Sequence, residues 1–254
     1  MESLQGKGVV VTGAGGGIGA ALARRFAAAG ARVVVNDLDP ARAAEVAAEV
    51  DGVALPGDAS AVVADALAAL DGTVDVYCAN AGLASGGTEA ADERVWADAW
   101  DVNVMAHVRA AHALIPGWLE RGEGRFVSTV SAAGLLTMVG AAPYSVTKHG
   151  AYAFAEWLSL TYRHRGIQVH AICPQGVRTD MLTAAGSAGE LVLAPTAIEP
   201  ADVADALFTG MAEDRFLILP HPEVAAYYQA RAATPDKWLT GMNHIQQKWE
   251  AAER

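Results

Sequence analysis

Tyr144 and Lys148 stand four residues apart in Tyr144-Ser145-Val146-Thr147-Lys148, and Ser131 lies thirteen residues upstream. Four residues make about one helical turn, so the phenol and the ammonium share a helix face. A free phenol titrates at about pH 10, and a fixed cation beside it favours the phenolate, which brings the group into a range useful for proton transfer. That combination suits a general acid and base. With six tyrosines and four lysines in 254 residues, chance alone supplies about 0.1 such pairs. Ser131 adds a hydroxyl that can donate to a substrate carbonyl or alkoxide and hold its oxygen near the phenol.

Such a pair needs a partner for electrons or groups, and the N-terminal segment offers a place for one. Lys7 to Thr12 reads as an apolar strand that runs into Gly13-Ala14-Gly15-Gly16-Gly17-Ile18-Gly19 and then into an alanine-rich helix. Glycines let the backbone turn tightly and approach a pyrophosphate, whose charge then sits at the positive end of the helix. Gly13 and Gly15 begin a G-x-G pattern, but Ile18 holds the place of the last glycine in G-x-G-x-x-G; the spacing that fits is Gly13-x-x-x-Gly17-x-Gly19. Asp37 follows the second apolar strand, Arg32 to Val35. A carboxylate there accepts hydrogen bonds from ribose hydroxyls and repels a 2′-phosphate, so NAD is expected over NADP. Arg42, opening the next helix, weighs the other way.

These residues give the chain its resemblance to the short-chain dehydrogenase/reductase family, whose members carry T-G-x-x-x-G-x-G at the start (here Thr12 to Gly19), N-A-G after the fourth strand (Asn80-Ala81-Gly82) and Y-x-x-x-K with an upstream serine (Tyr144, Lys148, Ser131). The resemblance implies a Rossmann-like fold and hydride transfer between NAD(H) and a CH–OH group, with Asn103, Ser131, Tyr144 and Lys148 as catalytic residues. In that scheme Lys148 binds the nicotinamide ribose and holds Tyr144 as phenolate, and Asn103 holds a water connecting Lys148 to solvent. The implied cofactor contacts are Gly13, Gly15, Gly17, Ile18, Gly19, Asp37, Asp58 at the adenine, Asn80, Ala81, Gly82, Tyr144, Lys148, Pro174 and Thr179. One departure from the family pattern is Gln175, where a glycine usually follows the proline; Thr179 still falls five residues after Pro174.

The elements that must position these groups are legible as alternation. Strands are expected at Lys7–Thr12, Arg32–Asn36, Val53–Pro56, Val74–Cys78, Gly124–Val130, Ile167–Cys173 and Phe216–Leu219, with helical stretches between them. That pattern implies an α/β fold with a doubly wound parallel sheet of about seven strands in a single domain. Right-handed crossovers then bring the strand ends to one edge, where open sheets of this kind bind ligands. Residues 1–220 form the dinucleotide-binding catalytic domain in this reading. Residues 221–254 form a tail with Tyr227, Tyr228, Trp238, Met242 and Trp249, too apolar to hang free; it packs on a neighbouring subunit, the favoured reading, or over the pocket of the same domain.

Composition narrows the rest. A hydrophobic content of 52% suits a sheet buried on both faces. The net charge of −11 argues against nucleic acid or anionic membrane as partner. Cys78 and Cys173 each end an apolar strand and read as buried free thiols. Met1 to Gly6 holds no basic region followed by an apolar stretch, and no run is long enough to span a bilayer, so a cytoplasmic location is expected. No histidine spacing forms a metal motif, and no metal is expected. Apolar segments suggest a pocket for a hydrophobic secondary alcohol or ketone, walled by Leu135, Met138, Met181 and Leu182 together with Leu136, Leu191, Val192 and Leu193. Thr183 to Ala194, with Gly186 and Gly189, reads as a lid, and Arg178 as a side chain for a substrate carboxylate, a cofactor phosphate or solvent. Family resemblance implies a homodimer or homotetramer. The alternatives are a non-catalytic NAD-binding protein and an NADP-dependent carbonyl or acyl-carrier reductase of the same family.

Overall fold

The computed structural model describes residues 4–184 and 193–252. Seven strands, β1 (Gly8–Thr12), β2 (Arg32–Asp37), β3 (Val53–Pro56), β4 (Val76–Ala79), β5 (Gly124–Thr129), β6 (Ile167–Ile172) and β7 (Leu217–Ile218), form one parallel sheet in the order β3-β2-β1-β4-β5-β6-β7. All seven expected strands form, with ends that coincide or differ by at most two residues. The order reverses between β1 and β4, which opens a crevice at the carboxyl ends of the strands.

The strands are apolar on both faces because helices cover both. On one side Val10, Tyr77, Phe126 and Ala171 meet residues of α3 (Val63–Ala69), α5 (Ala106–Arg121) and α7 (Ala142–Tyr162). On the other, Val9, Val11, Cys78, Val127 and Ile172 meet α1 (Gly17–Ala28), α2 (Pro40–Glu49) and α9 (Pro200–Ala212). Alternate residues of each strand therefore feed two separate cores, and a period-two pattern appears as a continuous apolar run. Trp118 is fully enclosed, and its indole donates to the Val74 carbonyl at 2.7 Å, so its one polar atom is satisfied.

Three local features bear on the crevice. Helix α4 (Glu93–Trp100) passes into α5 through a π turn at Asp101–Met105, which contains Asn103. Helix α6 (Ala133–Leu136) is a single turn after β5, and α8 (Asp180–Ala184) follows the Pro174–Thr179 loop. Gly186, Gly189, Leu191 and Val192, and with them most of the expected lid, lie outside the described residues. The tail forms α10 (Glu223–Ala233) and α11 (Pro235–Ala252). Val224 is buried in the core, Arg231 donates to the Leu135 carbonyl at 2.6 Å, and the Trp249 ring lies against Gly140, so the tail sits over the crevice of its own chain. Among the described residues no helix is long and apolar enough to cross a membrane.

Candidate active site

The glycine-rich turn is built for close approach. Gly13 and Gly17 have φ of +59° and +50°, a region that disfavours side chains, and a Cβ on Gly19 would lie 2.1 Å from the Gly13 carbonyl oxygen. Thr12 anchors the turn to β4: its hydroxyl accepts from the N–H groups of Asn80 and Ala81, both at 3.0 Å, and donates to the Cys78 carbonyl at 3.2 Å. Asn80 returns the contact by donating through Nδ2 to the carbonyls of Thr12 and Gly13. The Asp37 carboxylate accepts from the Gly15 N–H at 2.9 Å and from the Asp39 N–H at 3.0 Å, which fixes it at the end of β2. Gly15 thus serves the site through Asp37 rather than by lining it.

A cavity of about 1110 Å³ begins at this turn. Gly13, Gly17, Ile18, Gly19, Asp37, Asn80, Ala81, Gly82, Ser131, Tyr144, Lys148, Pro174 and Thr179 all line it, as do Met138, Met181 and Leu182. A cradle with no room for a Cβ at Gly13, Gly17 or Gly19, a carboxylate at the end of β2 and this volume together fit a nicotinamide dinucleotide. Asp58 departs from the expected set: it is exposed, its carboxylate accepts from the Ser60 N–H at 2.7 Å, and it does not line the cavity. Leu135 departs too. In a one-turn helix successive side chains point in different directions, and Leu135, 1% exposed, enters the core while its neighbour Leu136 faces the cavity. Arg178 faces elsewhere, bonded to the Ala197 carbonyl and 3.5 Å from Glu199.

Helix α7 places Tyr144 and Lys148 on one face, with the ammonium 5.7 Å from the phenol ring centre. Lys148 is 3% exposed and donates to the Thr129 carbonyl at 2.9 Å. Burial pulls its pKa down to about 8, so it keeps its charge at neutral pH by a narrow margin. Burial pushes the Tyr144 phenol above its ordinary value, and a hydrogen bond with Ser131 pulls it partly back. The phenolate inferred from the neighbouring ammonium is therefore not the resting form of the protein alone, because desolvation outweighs the other influences on this group. Ser131 accepts from the Ala133 N–H at 3.1 Å, which sets its hydroxyl at the mouth of β5.

Asn103 is fully buried and its side chain is committed. Oδ1 accepts from the Leu83 N–H at 2.8 Å, while Nδ2 donates to the Leu83 carbonyl and to the Thr147 hydroxyl, both at 3.0 Å. It braces the loop after Gly82 against the residue preceding Lys148. A Cβ on Gly82 would lie 3.2 Å from Asn103 Oδ1 and 3.3 Å from Lys148 Nζ, so the missing side chain there lets amide and ammonium approach.

Other contributors carry no local sequence signal. His221 accepts from the Gln175 N–H at 3.1 Å through Nδ1 and reaches the Thr196 carbonyl at 3.2 Å through Nε2, tying down the loop in which Gln175 replaces glycine. His107, wholly buried, contacts the Ser128 hydroxyl at 3.1 Å and is driven down to about 3 by burial, then by the nearby Lys148 charge, so it is neutral. Among the described residues no group of three His, Cys, Asp or Glu side chains is arranged to hold a metal.

Comparison with known proteins agrees with this geometry. Residues 7–189 match the family described as short chain dehydrogenase. The chain is 36% identical to 1-deoxy-11-beta-hydroxypentalenate dehydrogenase of Streptomyces exfoliatus, over 92% of this chain and 90% of that protein. Its fold superposes with a TM-score of 0.85 on a short chain dehydrogenase/reductase from Burkholderia phymatum in complex with NAD, at 28% identity over 93% of this chain and 96% of the other. A short-chain dehydrogenase from Sphingobium yanoikuyae in complex with NADPH gives 0.77, also at 28% identity, over 91% and 94%. With Ser131, Tyr144, Lys148 and the glycine cradle facing one cavity, the chain belongs to the short-chain dehydrogenase family of oxidoreductases that bind a nicotinamide dinucleotide.

Proposed function

We propose that the protein interconverts a hydrophobic secondary alcohol and its ketone with NAD(H), using Tyr144 as the proton-transferring group. The observation that carries this reading is the convergence of Ser131, Tyr144, Lys148 and the Gly13–Gly19 cradle on a single cavity. The cradle and Asp37 hold the dinucleotide, which supplies or accepts the hydride. Ser131 steadies the substrate oxygen, and the phenol of Tyr144 gives it a proton when a ketone is reduced. In the other direction the phenol takes the proton back. Lys148, held at the Thr129 carbonyl, keeps a positive charge beside the phenol and favours its ionised form when the proton leaves. Asn103 braces Leu83, which follows Gly82, against Thr147, which precedes Lys148, and the water-holding role implied by the family falls beside this brace.

Preference for NAD rests on the Asp37 carboxylate, whose charge repels a 2′-phosphate. Arg42 also lines the cavity and favours the second reading, use of NADP; its guanidinium is paired with Asp180 at 2.8 Å. The Streptomyces relative, named for a hydroxylated substrate, supports an alcohol or ketone as the reacting group. Trp100, Val146, Trp157 and Leu160 leave apolar surface exposed on α4 and α7, which supports a homo-oligomer. Turnover of secondary alcohols with NAD, and of ketones with NADH, tests the reading alongside Tyr144→Phe. The variant is expected to bind NADH as the wild type does and to lose about 100-fold or more in rate. Wild-type turnover by Tyr144→Phe would overturn it.

A further inference from the structure

We propose that the substrate alcohol carries a carboxylate, selected by Lys237 and Lys248 on α11. This deepens the reading above and rests on it for the kinetic arm only.

The chain has four lysines. Lys7 is paired with Asp75 and Glu123 at 3.4 and 3.0 Å. The other three, Lys148, Lys237 and Lys248, all line one cavity. In a protein of net charge −11, neither Lys237 nor Lys248 has an acidic partner within ion-pair distance among the described residues, whereas most arginines do. The two lysines end a stripe that turns to the cavity at Lys237, Gly241, Ile245 and Lys248, with Met242 beside it. Spacings of four, four and three residues keep one helix face.

The stripe lies on the substrate side. α11 rests against Gly140 through Trp249, and α10 bonds to Leu135, whereas the nucleotide cradle is reached from β1 and β2. An apolar wall ending in a cation suits a molecule with a carbon skeleton and a charged end. Eleven residues of helix separate the lysines by about 16 Å; they do not form a fork for a phosphate, and each meets a single charge. Glu223 also lines the cavity and repels an anion, so the attractive charges on this side are the two lysines of α11. Arg178, the other cation suited to a carboxylate, is engaged with Glu199 and the Ala197 carbonyl.

The test uses wild type, Lys237→Gln, Lys248→Gln and the double variant in the presence of NADH. The probes are alicyclic keto acids of increasing size, each compared with its methyl ester. Binding is followed through Trp238 and Trp249 fluorescence, and turnover through NADH absorbance. At least one acid is expected to bind more tightly than its ester. The single variants lose that preference in part, by roughly fivefold for a contributing rim lysine, and the double variant abolishes it while ester and NADH binding stay unchanged. Raising salt should erode the preference in wild type only. Acid selectivity without turnover sustains the carboxylate site and removes the oxidoreductase reading. Turnover with no acid selectivity across the series, or variants that weaken acid and ester equally, overturns the proposal.

Discussion

Replacing Lys148 with methionine should reveal the cost of holding a charge in the floor of the cavity. The ammonium has a folded-state pKa of about 8 against an ordinary 10.5, and burial is the main cause. At pH 7 both folded and unfolded chains carry the proton, so the folded protein bears the whole penalty. Between pH 8 and 10.5 the folded form sheds the proton while the unfolded form keeps it. The unfolded chain then binds more protons, and stability rises with pH. For a shift of this size the wild type gains about 2 kcal/mol relative to Lys148→Met between pH 7 and 9.5. Loss of the hydrogen bond to the Thr129 carbonyl offsets the variant by a constant that does not depend on pH. Urea unfolding of both proteins without cofactor, at half-unit steps across that range, isolates the slope from the offset. A difference in stability that stays flat with pH would mean that Lys148 is not a desolvated charge, and the electrostatic role given to it would fall.

Asp37→Asn keeps an acceptor but removes the charge, and should raise kcat/KM for NADP relative to NAD about tenfold or more; an unchanged ratio would place cofactor choice elsewhere, with Arg42 the first candidate. In Gly19→Ala the new methyl would meet the Gly13 carbonyl and the Asn80 amide, at 2.1 and 2.6 Å, so NADH binding measured by fluorescence should be lost or stability should drop by about 1–3 kcal/mol. Thr12→Val leaves the N–H groups of Asn80 and Ala81 without their shared acceptor and should cost about 2–4 kcal/mol in urea unfolding, whereas Thr12→Ser retains the acceptor and should stay near wild type.

What could be read from the chain was local. The strand preceding Gly13 announces itself because Val9, Val10 and Val11 are consecutive and glycines follow, and the spacing of Tyr144 and Lys148 fixes their shared face once a helix is granted. The side toward which a residue turns in a single-turn helix is not local, which is why Leu135, expected beside Leu136 in the pocket wall, enters the core instead. Desolvation is also a tertiary property: proximity of Tyr144 to Lys148 predicts a lowered phenol, but burial in the folded chain pushes it up. The apolar residues of the tail show that it must be covered or cover something, without naming the surface. His221 lies forty-six residues from Gln175 in the chain, and only the packed molecule brings them together.

The wall carrying Lys237 and Lys248 stands outside residues 7–189, the stretch that matches the general family description. The groups assigned to proton transfer and cofactor capture lie within it. Substitutions in α11 can therefore redirect the protein toward a new metabolite without touching the reaction machinery, so that chemistry is inherited while appetite drifts. Grafting α10 and α11 between relatives should transfer substrate preference as a unit, and likeness over the shared stretch alone will keep indicating what reaction occurs without indicating to what.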